Sequence, residues 1–269
     1  MNTFDITVII PTKNSQDHLT NCLESVKPCR RIIIIDSKST DETITIGKEF
    51  GAEIVSFNWN KRYPKKRQWA LDNIKISTEW ILFLDSDEII NESFYSAFKN
   101  KIADSSYNGA WIKFENFFMG KNLKFGVPQK KLSLMRNRFG VFENFGEHEW
   151  TDFDMEIHEH LLIKGKCFTI HEKQKHLQAS SYDDILSKHY EYAKWESKRS
   201  MSFVKNSKTT FREIIKYNFI KKRVFAYLYF FLNYFLLLGF LDGRAGYKYS
   251  LIKFKYFSKI YEIISYANK

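Results

Sequence analysis

Two aspartates separated by one residue, Asp85 and Asp87, directly follow the apolar segment EWILFL at positions 79–84. A short apolar run of this kind predicts a buried strand, which places both carboxylates at its carboxyl end. Mg²⁺ and Mn²⁺ prefer oxygen ligands and commonly link one or two carboxylates to substrate phosphates. A cation held there would stabilise charge that develops on a departing diphosphate. The competing interpretation is a solvated turn that caps the following helix, but the preceding strand favours a metal site at Asp85 and Asp87.

Two more polar clusters, at positions 11–14 and 36–41, follow short apolar segments earlier in the chain. Asp36 could accept a hydrogen bond from an N–H group of a nucleotide base. The same carboxylate could instead begin an Asx-type turn that runs through Ser37 and Ser39. The sequence leaves both interpretations of Asp36 open.

A basic segment, Lys65, Lys66 and Arg67, begins the helix predicted before the acidic strand. Arginine is suited to bidentate contact with phosphate, although basic residues in loops are often only solvated. The position of Arg67 beside a strand end favours phosphate contact. The predicted nucleotide-binding residues are Pro11, Thr12, Lys13, Asp36, Lys66, Arg67 and Asp85.

Strands and helices alternate over the first ninety residues. Apolar strands are predicted at 6–10, where Pro11 would end the strand, and at 31–35, 53–57 and 79–84, with helices at 15–26, 43–50 and 65–74. Such alternation predicts an α/β fold whose central sheet is mainly parallel and covered by helices on both faces. Ligands bind outside the carboxyl ends of the strands in these sheets. The polar clusters are therefore expected to form one composite site.

The net charge of +11 is concentrated near the end of the chain. Residues 205–269 contain thirteen Lys or Arg against three acidic residues, a balance of +10. This excess suits an anionic partner, either nucleic acid or an acidic membrane surface. Long runs of Phe, Tyr, Leu and Ile interrupt the basic residues, and this mixture favours the membrane over nucleic acid.

The segment 224–241 has eighteen residues without a charge, close to the length of about 20 residues that spans a bilayer. Lys221, Lys222 and Arg223 precede it, and further basic residues from Arg244 onward follow it. A spanning helix normally carries its basic excess on the cytoplasmic side only, so basic flanks on both sides favour an interfacial or re-entrant helix. A buried helix packed on the rest of the protein is the alternative.

The cysteines and the amino terminus bear on the compartment. Cys22, Cys29 and Cys167 form no CxxC pair, and an odd number of widely spaced thiols is typical of a cytosolic protein. The first ten residues, MNTFDITVII, lack the basic and apolar regions of a signal peptide and are predicted to form a strand. Together with the basic segment, this predicts a protein on the cytoplasmic face of a membrane, peripheral or monotopic.

Four segments carry a resemblance to a known family. ITVIIPTKN, IIIIDSKSTDETITIGKEFGAEIV, KKRQWAL and EWILFLDSDE resemble, in order and spacing, successive blocks of the family 2 glycosyltransferases with the GT-A fold. The resemblance covers roughly residues 5–90. It implies a Rossmann-like sheet, a nucleotide-sugar donor and a divalent cation, Mg²⁺ or Mn²⁺. Lys13 departs from the family, in which many members have an aromatic residue that stacks on the base.

A narrower resemblance extends over most of the chain. MEIHEHLLIKGK and GFLDGRAGYKYS resemble the subgroup that contains bacterial lipopolysaccharide inner-core glucosyltransferases. This implies an inverting transfer of a hexose, glucose from a UDP-sugar, onto a lipopolysaccharide core or another lipid-linked glycan. Assembly of a capsule or exopolysaccharide repeat unit is the alternative within the same chemistry.

An inverting mechanism requires a general base that deprotonates the acceptor hydroxyl. Glu159 is the predicted base because the His-Glu pair of the subgroup falls on it, with Asp154 and Glu156 as alternatives. His158 is a candidate to complete the metal shell beside Asp87, whereas His160 is expected to have a structural role. A zinc site on His158 and His160 is not expected, because no third ligand has suitable spacing.

The resemblance and the pattern together predict two domains. Residues 1–180 would form the GT-A catalytic domain, with nucleotide-sugar binding in 1–90 and the acceptor and base region in 109–171. Residues 181–269 would form a helical, basic and aromatic extension that associates with the membrane.

Two alternatives remain. A nucleic-acid-binding or membrane-binding protein without catalysis would explain the basic tail but not the acidic strand end. A nucleotidyltransferase would need a glycine-rich phosphate loop, and positions 11–16 contain no glycine.

Overall fold

The computed structural model describes residues 3–144, 154, 159–177, 181–202 and 217–267, and the chain divides into two compact units. The first unit comprises Met1–Glu115 and Gln129–Leu177, and the second comprises Asn116–Pro128 and Gln178–Lys269. The sequence analysis placed the segment 116–128 in the first domain. In the structure this segment belongs to the same unit as the carboxy-terminal helices.

The described part of the first unit is built on an eight-stranded sheet and four helices. Its strands are β1 (Phe4–Thr12), β2 (Cys29–Asp36), β3 (Glu53–Ser56), β4 (Trp80–Phe83), β5 (Glu88–Ile89), β6 (Tyr107–Phe114), β9 (Gln129–Arg136), β10 (Gly140–Phe142), β11 (Leu161–Ile163) and β12 (Lys166–His176). Its helices are α1 (Gln16–Val26), α2 (Thr43–Glu49), α3 (Lys66–Asn73) and α4 (Glu92–Ile102). The small hairpin β10–β11 stands outside the main sheet.

The strand order in the main sheet is β3-β2-β1-β4-β9-β6-β12-β5. The pairs β3–β2, β2–β1, β1–β4 and β6–β12 are parallel, whereas β9 runs antiparallel to both neighbours and β5 runs antiparallel to β12. The expected α/β architecture with a mainly parallel sheet is confirmed. Because β1, β2 and β4 run the same way, their carboxyl ends meet at one edge.

The first strand is longer than the sequence predicted, because it continues through Pro11 to Thr12. Pro11 pairs with Ile35 of β2, whereas β4 pairs only with the part of β1 that ends at Ile9. A proline is tolerated in a sheet where no neighbouring strand needs its missing N–H group. The prediction that Pro11 ends the strand is therefore wrong.

Apolar side chains alternate between the two faces of the sheet. Ile6, Val8 and Ile10 of β1 pack with α1 and α4 in one buried cluster, while Ile9 packs on the opposite face. That opposite cluster also includes Ala70 of α3 and side chains of the β10–β11 hairpin. Alternation with a period of two explains how one apolar strand serves two helical layers.

The second unit contains a small hairpin and the carboxy-terminal helices. Its described elements are β7 (Asn116–Phe118), β8 (Lys121–Leu123), α5 (Tyr182–Ser202), α6 (Val224–Phe231), a π-helix (Leu232–Leu236), a 3₁₀-helix (Gly239–Asp242) and α7 (Gly243–Ala267). Phe118 of the hairpin packs edge-on against Tyr249 of α7, with ring centroids 5.5 Å apart. Farther along α7, Tyr256, Ile260 and Ile264 pack with Ala193 of α5.

The uncharged segment 224–241 does not form one straight helix. The segments Val224–Leu236 and Gly239–Ala267 are bent by 71° at a short break, where Leu238 has a left-handed φ of 58°. A Cβ atom on Gly246 would lie 2.0 Å from the carbonyl oxygen of Gly239, so the close approach requires a glycine. Among the described residues, only this bent pair of helices has the length and composition of a membrane-crossing element, and no single helix does.

Candidate active site

The ends of β1 and β2 are joined by the side chain of Asp36. Thr12 Oγ1 donates to Asp36 Oδ1 at 2.9 Å, and the backbone N–H of Ser39 donates to Asp36 Oδ2 at 2.8 Å. Asp36 is almost fully buried, and its contact with Ser39 is the Asx-type turn considered above. The carboxylate therefore fixes the loop after β2 against the end of β1.

The first turn of α3 connects this loop with the acidic turn after β4. The ammonium group of Lys66 is buried, lies 2.8 Å from Asp154 Oδ2 and donates to the carbonyl oxygen of Thr12 at 2.9 Å. The guanidinium group of the next residue, Arg67, contacts Asp85 Oδ1 at 2.6 Å. Two consecutive residues of α3 thus contact the two polar clusters, Lys66 at the end of β1 and Arg67 at the acidic turn.

Asp85 lies between two cations. Its Oδ1 contacts Arg67, and its Oδ2 contacts Lys131 Nζ of β9 at 2.6 Å. Burial disfavours the charged carboxylate, but attraction to Lys131 and Arg67 outweighs burial and holds the pKa of Asp85 well below its ordinary value. Asp85 is therefore ionised at neutral pH, and it aligns both cations at the strand end.

Glu88 occupies the buried side of the same turn. Its Oε2 accepts the backbone N–H of Asp85 at 2.8 Å, and Lys131 Nζ lies 3.2 Å from its Oε1. Burial raises the pKa of Glu88 to about 7, although Lys131 opposes this shift. Glu88 thus stabilises the turn from its buried side, and Lys131 contacts the carboxylates of both Asp85 and Glu88.

Asp87, the second aspartate of the motif, faces a histidine. Asp87 Oδ2 lies 3.3 Å from His176 Nε2, with 35% of the Asp87 side chain and 26% of the His176 side chain exposed. The contact arises because the end of β12 pairs with β5, which sets His176 opposite Glu88. Burial alone would lower the pKa of His176, but the hydrogen bond to Asp87 raises it overall.

The two described candidates for the general base lie in different surroundings. Glu159 Oε2 is 3.8 Å from Arg67 Nη1, and its side chain is fully buried. Asp154 instead accepts a hydrogen bond from Ser37 Oγ and pairs with Lys66, whose charge lowers the pKa of Asp154 against the effect of burial. Glu159 therefore belongs to the Arg67 side of the site, and Asp154 belongs to the loop after β2.

The remaining predicted residues take simpler positions. Pro11 is buried within β1, and Lys13 is exposed just beyond the end of that strand. His160, expected to be structural, has its Nδ1 atom 2.9 Å from Glu143 Oε2. His158 and Glu156 lie outside the described residues.

Chemistry at the acidic turn fits a divalent cation that is shared with a substrate. Within the described ranges, no group of three His, Cys, Asp or Glu side chains is arranged to hold a metal ion. Asp87 and His176 offer one oxygen and one nitrogen ligand on accessible side chains. Because Mg²⁺ is usually bound through one or two carboxylates with substrate phosphates and water, this pair suits a cation that a diphosphate completes.

Sequence reasoning missed Lys131 and His176. Lys131 stands at the start of a strand that crosses the sheet antiparallel, so its approach to Asp85 depends on pairing across 46 residues. His176 is the last residue of β12, the strand next to β5. Each of these residues is polar and lies near the end of a strand, which was the available signal. Which residues they approach depends on the strand order, and local periodicity does not predict that order.

Comparison with known proteins identifies the family. The model for glycosyl transferase family 2 matches residues 7–157, more than half of the chain. The chain belongs to glycosyl transferase family 2. The structure of the first unit agrees with the GT-A fold expected from the resemblance.

Three relatives of this chain have low sequence identity to it. An uncharacterised glycosyltransferase of Rickettsia typhi is 23% identical over 202 residues, which cover 72% of this chain and 67% of that protein. The lipopolysaccharide core biosynthesis glycosyltransferase LpsC of Rhizobium meliloti is 23% identical over 161 residues, or 56% of this chain and 55% of LpsC. The crystal structure of Staphylococcus aureus TarS 1–349 aligns with a TM-score of 0.43 and 16% identity, covering 98% of this chain and 91% of the TarS chain.

Proposed function

We propose that this family 2 glycosyltransferase is an inverting enzyme that moves a hexose from a UDP-sugar onto a lipid-linked surface glycan. The observation that carries the proposal is the position of Arg67, which contacts Asp85 of the acidic turn and lies beside Glu159. One guanidinium group therefore adjoins a carboxylate of the metal-type motif and the predicted base. An enzyme that transfers a sugar from a diphosphate needs a group that stabilises the leaving diphosphate and a base that activates the acceptor, both close to the anomeric carbon.

The donor would bind at the carboxyl ends of β1, β2 and β4. Asp36, held by Thr12 and Ser39, shapes the loop that would receive the base, and Lys13 is an exposed cation beside it. The internal contacts of Lys66 make it a positioning residue that fixes the loops on either side of the nucleotide. Arg67, held by its ion pair with Asp85, would stabilise the negative charge that develops on the diphosphate.

A divalent cation would be held by Asp87, with His176 beside it, and by the diphosphate of the donor. When bound, Mg²⁺ or Mn²⁺ would supply Lewis-acid stabilisation of the leaving diphosphate. Arg67 and Lys131 contact the two carboxylate oxygens of Asp85. Asp85 would therefore act by positioning these two cations beside the metal and the diphosphate.

Glu159 is the proposed general base. It would accept the proton of the acceptor hydroxyl as that oxygen attacks the anomeric carbon from the side opposite the diphosphate. The guanidinium group of Arg67 lies beside this carboxylate, with Arg67 Nη1 3.8 Å from Glu159 Oε2. Asp154 is the weaker candidate, because Lys66 and Ser37 already hold its carboxylate beside the β2 loop.

The acceptor class rests on the likeness of the segments at 155–166 and 239–250 to lipopolysaccharide inner-core glucosyltransferases. The name of the relative LpsC, a lipopolysaccharide core biosynthesis glycosyltransferase, supports the same class. Such acceptors are presented by a membrane, so the proposed location is the cytoplasmic face of the bacterial inner membrane.

A panel of UDP-, GDP- and CMP-sugars tests the donor and the reaction. Each sugar is incubated with the full chain and Mn²⁺, and release of the nucleotide and thermal stabilisation are measured. We expect a UDP-hexose to be hydrolysed slowly and to give the largest stabilisation. Stabilisation by a CMP-sugar alone, without hydrolysis of any UDP-sugar, would reject the proposed donor.

A further inference from the structure

The exposed face of α6 and the following π-helix is apolar. Val224, Tyr227, Leu228, Phe231, Leu232 and Phe235, spaced as on one face of a helix, are each between 40% and 53% exposed. Three- and four-residue spacing of apolar residues usually marks the face of a helix that packs on the protein. Here the same spacing marks the face that points away from the protein.

The polar residue of this segment points inward. Asn233 is buried, its Oδ1 accepts the backbone N–H of Val127 at 2.8 Å, and its Nδ2 donates to Ser250 Oγ at 2.7 Å. A helix in water places amides outward and leucines inward. The reversed arrangement is the one expected of a helix whose outer side contacts hydrocarbon, where an unpaired polar group is costly.

The apolar face continues around the bend into α7. Ring centroids lie 5.3 Å apart for Phe231 and Phe235, 5.0 Å for Tyr234 and Phe235, 6.2 Å for Tyr234 and Phe240, and 5.8 Å for Tyr234 and Tyr247. We call this surface the apolar ridge, and it comprises the exposed side chains of Val224, Tyr227, Leu228, Phe231, Leu232, Phe235, Leu236, Leu238, Phe240, Leu241 and Tyr247.

The exposed large hydrophobic side chains are concentrated in the apolar ridge. Nineteen large hydrophobic side chains are exposed in the described part of the chain, and eleven of them belong to these 24 consecutive residues. Contiguous apolar patches larger than a few hundred Å² are rare on monomeric soluble proteins and mark contact with a partner or a membrane.

Basic residues lie on both sides of the part of the apolar ridge that runs from Val224 to Leu241. Lys221, Lys222 and Arg223 are exposed immediately before α6, and Arg244 is exposed in the first turn of α7. The nearby acidic residue, Asp242, accepts the backbone N–H groups of Lys124 and Phe125. The rim therefore presents positive charge around an aromatic and aliphatic surface.

This charge distribution distinguishes a bilayer from a second copy of the chain. A symmetric dimer brings the same patch of two copies together, which would place one basic rim against another. Anionic lipid headgroups instead complement the rim, and hydrocarbon complements the apolar ridge. Tyr side chains also suit the headgroup boundary, where Trp and Tyr are enriched, and Phe is common on the apolar face of interfacial helices.

We propose that the apolar ridge inserts into one leaflet of an anionic bilayer, with α6 and the π-helix lying in the plane of the membrane. The exposed stripe runs along α6 and the π-helix, so the contact is made by their side rather than by an end. The 71° bend then turns α7 away from the axis of α6. This attachment does not depend on the donor or acceptor proposed above.

Flotation of the full chain with lipid vesicles tests the attachment. We expect binding to vesicles that contain phosphatidylglycerol and weaker binding to pure phosphatidylcholine. Leu228→Glu and, separately, Leu236→Glu should each weaken the partition coefficient about tenfold or more, because a charge would enter the hydrocarbon boundary. Leu162→Glu is the matched control, since Leu162 and Leu228 are 50% and 51% exposed but Leu162 lies in β11.

The basic rim is tested separately. The triple variant Lys221→Gln, Lys222→Gln, Arg223→Gln should lose about fivefold in affinity per charge on anionic vesicles and little on neutral ones. High salt should weaken binding of the wild-type protein to anionic vesicles without abolishing it, because the apolar contribution is not screened.

Depth is measured with Phe235→Trp and lipids brominated at shallow or deep chain positions. We expect the added fluorescence to be quenched more by shallow bromines, as for a helix in the interface. Stronger quenching by bromines near the bilayer centre would overturn the in-plane geometry.

No vesicle binding, together with a dimer in light scattering that Leu228→Glu converts to a monomer, would overturn the membrane as the partner.

Discussion

At the scale of single residues, the candidate site is a network of ion pairs in which Lys66 and Arg67 of α3 contact Asp154 and Asp85. Arg67 and Lys131 occupy the two oxygens of Asp85, and Lys131 also reaches Glu88. Asp87 lies outside this network beside His176. The two aspartates of one motif therefore have different surroundings, which assigns them different parts in the proposed mechanism.

Glu159→Gln should abolish transfer while leaving donor affinity nearly unchanged. A general base acts in the transition state, and such catalysis contributes roughly 10²–10⁴ in rate. The measurement compares kcat for transfer with the dissociation constant of the donor. Asp154→Asn is the comparison, and it should change donor affinity more than kcat, because Asp154 holds Lys66 and Ser37. Near-wild-type turnover in Glu159→Gln with an inactive Asp154→Asn would assign the base to Asp154.

Lys131→Met should destabilise the protein and make it more responsive to a cation. Removing Lys131 takes away one of the two cations that contact Asp85 and also removes the contact between Lys131 and Glu88. The expected loss in the free energy of unfolding is about 1–3 kcal/mol. Mn²⁺ should then raise the melting temperature more in the variant than in the wild-type protein, since it can replace the lost charge. The control is Lys130→Met on the same strand, where the side chain is exposed and its ammonium lies 4.8 Å from the Trp111 ring centroid. Equal responses to Mn²⁺ in Lys131→Met and Lys130→Met would show that Lys131 does not balance the acidic turn.

At the scale of elements, the early strands and helices were predicted closely, because apolar runs and helical spacing are local signals. The strand predicted at 79–84 is Trp80–Phe83, and the helix predicted at 65–74 is Lys66–Asn73. The segment 224–241 was harder, because its composition suits a helix throughout. Its break depends on the contact between Gly239 and Gly246, which belong to separate helices.

Gly246→Ala should destabilise the bend although alanine favours helices. The new Cβ would lie 2.0 Å from the carbonyl oxygen of Gly239, so the turn must move. The expected loss is about 1–3 kcal/mol from overpacking, which outweighs the gain in helix propensity of about 1 kcal/mol. Thermal unfolding of the full chain measures the effect, and Tyr266→Ala, at a site 77% exposed on the same helix, is the control. A variant as stable as the wild-type protein would mean that the close glycine contact is not needed for the bend.

At the scale of the whole molecule, the order of motifs predicted the family, whereas the grouping of residues 116–128 depends on long-range contacts. Residues 116–128 lie between two strands of the first unit and yet belong to the second. Asn233 and Asp242 bind the backbone of this segment, and such contacts over more than 100 residues leave no local pattern. The basic tail was visible in the sequence, whereas the outward orientation of its apolar side chains required the structure.

The central claim is that a nucleoside diphosphate and a divalent cation bind together at the acidic turn. Calorimetric titration of UDP into the full chain, with and without Mn²⁺, tests it most directly in the wild-type protein and in Asp87→Asn. The account predicts tight binding only with Mn²⁺ in the wild-type protein and loss of this dependence in Asp87→Asn. Metal-dependent UDP binding that is unchanged in Asp87→Asn would contradict the account.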